Sequence, residues 1–151
     1  RYQPRSRGLG DVYKRQVHCD PALLDNWRAM LGDDRAVQGF PWHRFREAGV
    51  PIALGTDAPT APHQAARNLF IALTARSAFD AGRDPYQPER VFDPADALEA
   101  LTSAGARASG RDGTGRIAAG LAADFCVLDL NPLTDDPDEL LEMQVLRTVT
   151  G

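Results

Sequence analysis

"VPIALGTDAP", residues 50–59, is a short apolar run that ends in a carboxylate, Asp57. The residues from Val50 to Leu54 are all apolar, and glycine and proline bound the run on either side. A run of this kind is typical of a strand that is buried on both faces, as in parallel α/β sheets. The stretch therefore predicts a central strand over residues 51–57, with Asp57 at its C-terminal end.

Asp57 itself can be interpreted in two ways. An aspartate beside glycine and proline commonly forms an Asx turn or caps the following helix. In (β/α)₈ barrels, however, the catalytic groups lie at the C-terminal ends of the strands, where the loops form the pocket. The stretch alone leaves both interpretations open, and the turn or cap is the more common one.

Helical patterns surround this strand. Apolar residues at helical spacing predict helices within residues 21–32, 41–50, 63–82 and 93–110. The last of these begins with Asp93 as N-cap and Pro94 at the first helical position.

After residue 112 the spacing of the apolar residues is no longer that of a helix. The pattern there predicts a strand over 125–129, a short helix within 135–143 and a β-branched strand from 144 onwards. A parallel sheet or barrel followed by a small β-rich appendage is the expected α/β fold.

The composition limits the class of protein. The chain has 151 residues, of which 43% are hydrophobic and 25% charged, as in one soluble domain or part of a larger one. No apolar run approaches the ~20 residues that a membrane-spanning helix needs. Two cysteines, Cys19 and Cys126, do not make a disulfide framework, which suits a reducing cytoplasm. Cys126, within an apolar run, is expected to be a small core residue.

Residues 1–16, "RYQPRSRGLGDVYKRQ", differ from the rest of the chain. They contain the only lysine and lack apolar periodicity, and they resemble the translation of a transposase-based sequencing adapter. A basic nucleic-acid-binding arm is the alternative. The segment holds five of the 17 basic and one of the 21 acidic residues, which leaves a net charge of −8. A remainder this acidic is a poor candidate for binding nucleic acid or an anionic membrane.

The stretch "GTGRIAAGLAADFCVLDLNPL", residues 113–133, resembles the G-x-I-x-x-G-x-x-A-D-x-x-x-L-D signature of the amidohydrolase superfamily. The matching positions are Gly115, Ile117, Gly120, Ala123, Asp124, Leu128 and Asp129. With "AGVPIALGTDAP" and "DALEALTSAGARASG" upstream, the chain looks specifically like the amidohydrolase family 3 branch. The resemblance covers essentially all of residues 17–151.

The resemblance implies the fold in more detail. It implies that residues 17–112 are the C-terminal part of a (β/α)₈ TIM-type barrel and that 113–151 are part of a small β-sandwich. Residues 1–16 are then expected to be irregular. Because the other strands of the sandwich would lie upstream of Val17, apolar side chains such as Ile117 and Val127 are expected to be exposed.

The resemblance also implies a function. It implies a metal-dependent hydrolase that cleaves a non-peptide carbon–nitrogen bond of a small molecule, with zinc the expected divalent metal. Asp57 corresponds to the family's metal-binding and proton-accepting aspartate. The other ligands of the family lie upstream of Val17, so the chain alone is expected to be an inactive fragment. A deaminase of the same superfamily and a non-catalytic barrel that binds without metal are the alternatives.

The sequence also predicts roles for several other side chains. His18 and Thr56 are candidates for the substrate pocket, although a packed or helix-capping histidine is the more common interpretation of His18. His43 is expected to be structural, and His63 to belong to the N-terminal turn of the helix that follows it. Asp124 is expected to form a turn or a hydrogen bond.

Overall fold

The computed structural model describes residues 24–39, 41–56, 58–59 and 63–151. Its helices are α1 (Leu24–Leu31), α2 (Asp33–Ala36), α3 (Trp42–Glu47), α4 (Ala65–Thr74), α5 (Pro94–Leu101) and α6 (Ser103–Ala108). Short 3₁₀ helices span Pro88–Arg90 and Pro137–Glu142, and the strands are β1 (Phe125–Leu128) and β2 (Val145–Val149). The predicted mixture of helices and strands is confirmed. The segment 1–16, predicted to be irregular, lies outside the described residues.

The predicted helices are present, and glycines end two of them. α1 stops at Gly32, whose φ of 78° is left-handed, and α3 is followed by Gly49 with φ 71°. Glycine adopts this conformation without the steric penalty that a Cβ would cause. The second glycine turns the chain from α3 into the segment that carries Asp57.

Helix α4 is shorter than the sequence pattern predicts. The hydroxyl of Thr74 donates to the carbonyl of Phe70 (2.7 Å) and accepts from the N–H of Arg76 (3.1 Å). Ala75 then has φ 55°, a left-handed conformation that ends the helix. Local hydrogen bonds of threonine compete with the helical ladder in this way, so the remainder of the predicted helix is a loop.

The predicted helix over 93–110 is divided into α5 and α6. The hydroxyl of Thr102 donates to the carbonyl of Leu98 (2.6 Å), and Thr102 has φ −118° and ψ −92°, outside the helical region. Back-bonding of this type bends helices. Asp93 occupies the N-cap position, where its carbonyl, and not its carboxylate, accepts from the N–H of Ala97 (2.9 Å).

The core is built around α4. Five consecutive residues of this helix, 68–72, are buried, so the helix is covered on all sides. The buried apolar residues form one cluster: Ile52, Leu54, Leu69, Phe70, Ile71, Ala72, Ala78, Phe92, Ala97, Ala100 and Leu140. Leu140, from the 3₁₀ helix at 137–142, is only 1% exposed, and Arg76 after α4 forms an ion pair with Asp138 of that helix.

The prediction of a strand over 51–57 is wrong for residues 51–56, which have no regular secondary structure. Ile52, Ala53 and Leu54 are buried, as the apolar run predicts. A strand, however, needs a neighbouring strand for its ladder of hydrogen bonds. The N–H of Leu54 donates instead to the carbonyl of Ala100 at the end of α5 (2.9 Å). Within the described residues there is no parallel sheet, so the barrel stays a prediction.

β1 and β2 form a two-stranded antiparallel sheet, which pairs Phe125 with Val149. The strands lie where the sequence predicts them. The expected exposure of the apolar side chains is confirmed, because Ile117 is 85% and Val127 42% exposed.

The prediction for Cys126 is wrong. The sequence predicts a small core residue, but the side chain is an exposed free cysteine. It lies in β1, opposite Thr148 of β2. A two-stranded ribbon buries its residues only where another layer covers a face, and three of the four residues of β1 are exposed.

Two signature glycines have the same backbone conformation but different surroundings, so alanine substitutions at the two positions should differ in their effect on stability. Gly115 and Gly120 both have φ 83°, but only at Gly115 would a Cβ meet neighbours, at 2.7 Å from the Cβ of Ala106 and 2.8 Å from the Cα of Ser103. Gly115→Ala should therefore lower the free energy of unfolding by roughly 1–3 kcal/mol more than Gly120→Ala. Urea unfolding of both variants measures the difference, and equal losses would show that α6 moves aside without cost.

Candidate active-site segment

The segment that leads to Asp57 is anchored in the core. Ile52, Ala53 and Leu54 are buried, and Ile52 and Leu54 belong to one cluster with residues of α4 and α5, whereas Gly55 and Thr56 are half-buried. The chain therefore leaves the core at the residue before Thr56 and approaches Asp57 from an ordered, packed base.

The residues on either side of Asp57 form a turn. The N–H of Ala58 points to the hydroxyl oxygen of Thr56 at 3.4 Å, and the peptide bond between Ala58 and Pro59 is cis. Thr56, a predicted pocket residue, is thus part of the local turn. Asp57 and His18, the other predicted site residues, lie outside the described residues, so their grouping with Thr56 stays a prediction.

The described residues do not form a metal site by themselves. No group of three or more His, Cys, Asp or Glu side chains among them is close enough to hold a metal ion. A catalytic zinc site takes about three protein ligands. A metal would therefore need ligands outside the described residues.

Two signature carboxylates have structural roles. Asp124, just before β1, accepts a hydrogen bond from the N–H of Gly151 (3.0 Å), beyond the end of β2. Asp129, just after β1, accepts from the N–H of Gln144 (2.9 Å), before β2 begins. The two side chains thus tie the strands together at both ends. The predicted hydrogen-bonding role of Asp124 is confirmed.

Two histidines, His43 and His63, lie within the described residues. His43 is on α3, and its Nδ1 is shielded from solvent without a hydrogen-bond partner among the described residues. His63 is exposed and lies two residues before α4, whose N-cap is Gln64, so it precedes the first helical turn in which it was expected.

A cavity of about 670 Å³ lies at the other end of the segment. Val50, Pro51 and Ile52 line it, together with side chains from α3, α5 and α6, and Thr56 does not. Its arginines are paired: Arg46 with Asp96, Arg90 with Glu89 and Arg107 with Glu99. Because these positive charges are matched by carboxylates, the cavity offers an anion little attraction.

Sequence reasoning missed Asn68. Its side chain is fully buried in α4, and neither its oxygen nor its nitrogen has a hydrogen-bond partner within the described part of the chain. The available signal was a polar residue placed directly before the apolar run "LFIAL" on a helix that the pattern already predicted.

Comparison with known proteins identifies the family. The model of the amidohydrolase family, in its family 3 branch, matches residues 10–151. The chain belongs to this family, and the resemblance drawn from its motifs is confirmed. The match includes residues 10–16 of the segment attributed to an adapter; that attribution stays a prediction.

Two relatives show how much of a family member this chain represents. It is 34% identical over 136 residues to the N-substituted formamide deformylase of Arthrobacter pascens, which covers 86% of this chain and 24% of that protein. It is 28% identical over 120 residues to the provisionally named amidohydrolase YtcJ of Bacillus subtilis (strain 168), which covers 79% of this chain and 23% of that one. The chain thus spans about a quarter of the length of these relatives. No solved structure matches it.

Proposed function

We propose that this chain is the C-terminal part of a metal-dependent hydrolase that cleaves a non-peptide, amide-type carbon–nitrogen bond. The observation that carries the proposal is the family match over residues 10–151, supported by the similarity to a protein named as a formamide deformylase. The family is generally metal-dependent, and a divalent metal, with zinc as the candidate, belongs to the proposal. Its ligands besides Asp57 would come from the remainder of a longer protein.

In this proposal Asp57 is the residue of the chain that takes part in the chemistry. When bound, the metal supplies an activated water molecule. Asp57 contributes a negative charge that helps to hold the metal and an oxygen that accepts a proton and can return it to the leaving amine. The burial of residues 52–54 and the hydrogen bond between Ala58 and Thr56 support this role, because they order the described residues before and after Asp57. His18 and Thr56 are proposed to line the substrate pocket.

The proposed partner is a small-molecule amide. The absence of lysine after residue 16 and the net charge of −8 of residues 17–151 argue against nucleic acid and anionic membranes as partners. No helix of the described residues is long and apolar enough to cross a membrane. A cytoplasmic location is proposed from the two cysteines, too few for a disulfide framework.

The test uses the full-length protein, obtained by extending the reading frame upstream of Val17 at the genomic locus. We expect the purified protein to contain a divalent metal and to release formate from an N-substituted formamide, with loss of activity on chelation. The 151-residue chain, assayed in parallel, should be inactive. Release of ammonia from an amidine substrate in place of formate would favour the deaminase. A metal-free protein that binds amides without turnover would favour the binding domain.

A further inference from the structure

Thr56 connects the described residues on the two sides of Asp57. Its hydroxyl oxygen accepts a hydrogen bond from the N–H of Ala58 at 3.4 Å, so the bond spans position 57. Thr56 is half-buried, whereas Ala58 and Pro59 are exposed. The side chain thus joins the packed segment to the exposed turn across the aspartate.

The main-chain hydrogen bonds end before the chain reaches Asp57. The N–H of Leu54 donates to the carbonyl of Ala100 (2.9 Å), and among the described residues this is the last such bond before the aspartate. Gly55 follows, and glycine has more backbone freedom than other residues. The next hydrogen bond along the described chain is that of the Thr56 hydroxyl, which therefore restricts the main chain on both sides of position 57.

Threonine is well suited to this position. Two heavy atoms on its Cβ restrict the rotation about χ1, so the hydroxyl has few orientations to lose. The oxygen can accept from the main chain while its own proton stays free to donate. The distance of 3.4 Å exceeds the usual range of about 2.7–3.2 Å for N–H···O, so the bond adds little to the stability of the fold. Its loss should change the turn more than the melting temperature.

We propose that Thr56 is a positioning residue of the hydrolase, which rests on the function proposed above. Its hydroxyl fixes the main chain at Asp57, so that the carboxylate is held ready to bind the metal and to accept the proton. Such a group has to be held within about 0.5 Å of its working position, because a misplacement of about 1 Å can lower the rate about a hundredfold. This role differs from the proposed contact of Thr56 with the substrate, since it acts on metal binding and turnover and not on substrate affinity.

The experiment replaces Thr56 by valine in the full-length protein. Valine is β-branched like threonine and lacks the hydroxyl. We expect Thr56→Val to lower kcat and the affinity for zinc by about tenfold to a hundredfold, the range found for groups that orient metal ligands. KM and the melting temperature should stay close to those of the wild type. Zinc affinity is measured by competition with a chelating indicator, so this readout does not depend on activity. A raised KM with normal kcat and zinc affinity would show a substrate contact alone and would overturn the proposal, as would fully normal kinetics.

Thr74→Val is the matched control. The hydroxyl of Thr74 accepts from the N–H of Arg76 (3.1 Å), which is the same type of bond to the residue two positions further on, at the end of α4. We expect this variant to keep normal kcat and zinc affinity, while its melting temperature falls because the bond to the carbonyl of Phe70 is lost as well. Equal losses of kcat in the two valine variants would overturn the proposal, because the position of the bond would then not matter.

A second pair of variants keeps the test decisive if valine disturbs the turn. Thr56→Ser keeps the hydroxyl, whereas Thr56→Ala is of similar size and lacks it. We expect the serine variant to retain several-fold more turnover than the alanine variant at a similar melting temperature. Equal turnover of the two, or failure of all three Thr56 variants to fold, would contradict a positioning role. A wild-type protein that binds zinc without amide hydrolysis would instead overturn the proposed function, and the zinc affinities of the variants would still decide the role of Thr56.

Discussion

Asp57→Asn in the full-length protein should leave the melting temperature unchanged and reduce turnover by about 10²–10⁴, the loss typical of removing one general acid–base group. Asparagine is nearly isosteric with aspartate and forms Asx turns and helix caps equally well, so the turn at Thr56 and Ala58 should persist. The substitution removes the negative charge proposed to face the metal and the oxygen proposed to accept the proton. Steady-state kinetics, metal analysis and thermal melting together measure the effect.

Asp124→Asn is the matched control for this experiment. It makes the same chemical change in the signature, where the side chain accepts a hydrogen bond from the N–H of Gly151 (3.0 Å) and an asparagine oxygen can do the same. We expect turnover and metal content to stay normal in this variant. If Asp57→Asn behaves like Asp124→Asn, the turn-forming interpretation of Asp57 is correct and the catalytic one is not.

The helices and strands of this chain are predictable because local patterns determine them. Apolar spacing gives α1, α3 and α4, and Asp93 and Pro94 indicate the start of α5. The change to β-branched residues near the end predicts β1 and β2. The hydrogen bond to Asp124 was also predictable from the sequence, since an aspartate beside a strand commonly binds main-chain groups.

Features that depend on distant contacts are less accessible to sequence reasoning. The apolar run predicts the burial of residues 52–54 correctly, but a strand also requires a neighbouring strand, and the described part of the chain supplies none. Cys126 has the composition of a core residue, yet its exposure depends on which layer covers β1. The division of the helix at Thr102 comes from one side-chain hydrogen bond. The periodic pattern carries no information on any of these three.

Burial, in contrast, can be read from the pattern of α4 and tested directly. Phe70, on the predicted apolar stripe, is 1% exposed. Phe70→Ala should lower the free energy of unfolding of the 151-residue chain by about 3–5 kcal/mol, because it removes a large apolar side chain and leaves a cavity that the close-packed core can only partly fill. Urea unfolding followed by circular dichroism is the measurement.

Phe79→Ala separates burial from the contacts of the aromatic ring. An arginine lies over each ring, Arg76 at 5.4 Å from the centre of Phe70 and Arg67 at 5.0 Å from that of Phe79, but Phe79 is 51% exposed. Since a cation–π contact at an exposed site contributes only about 0.5–1 kcal/mol, we expect Phe79→Ala to cost about 1 kcal/mol. Similar losses in the two variants would show that the arginine contacts, and not the packing of α4, stabilise this region. A large difference would identify the packing of Phe70 in α4 as a main source of stability for the buried cluster that also contains Leu54, Ala97 and Leu140.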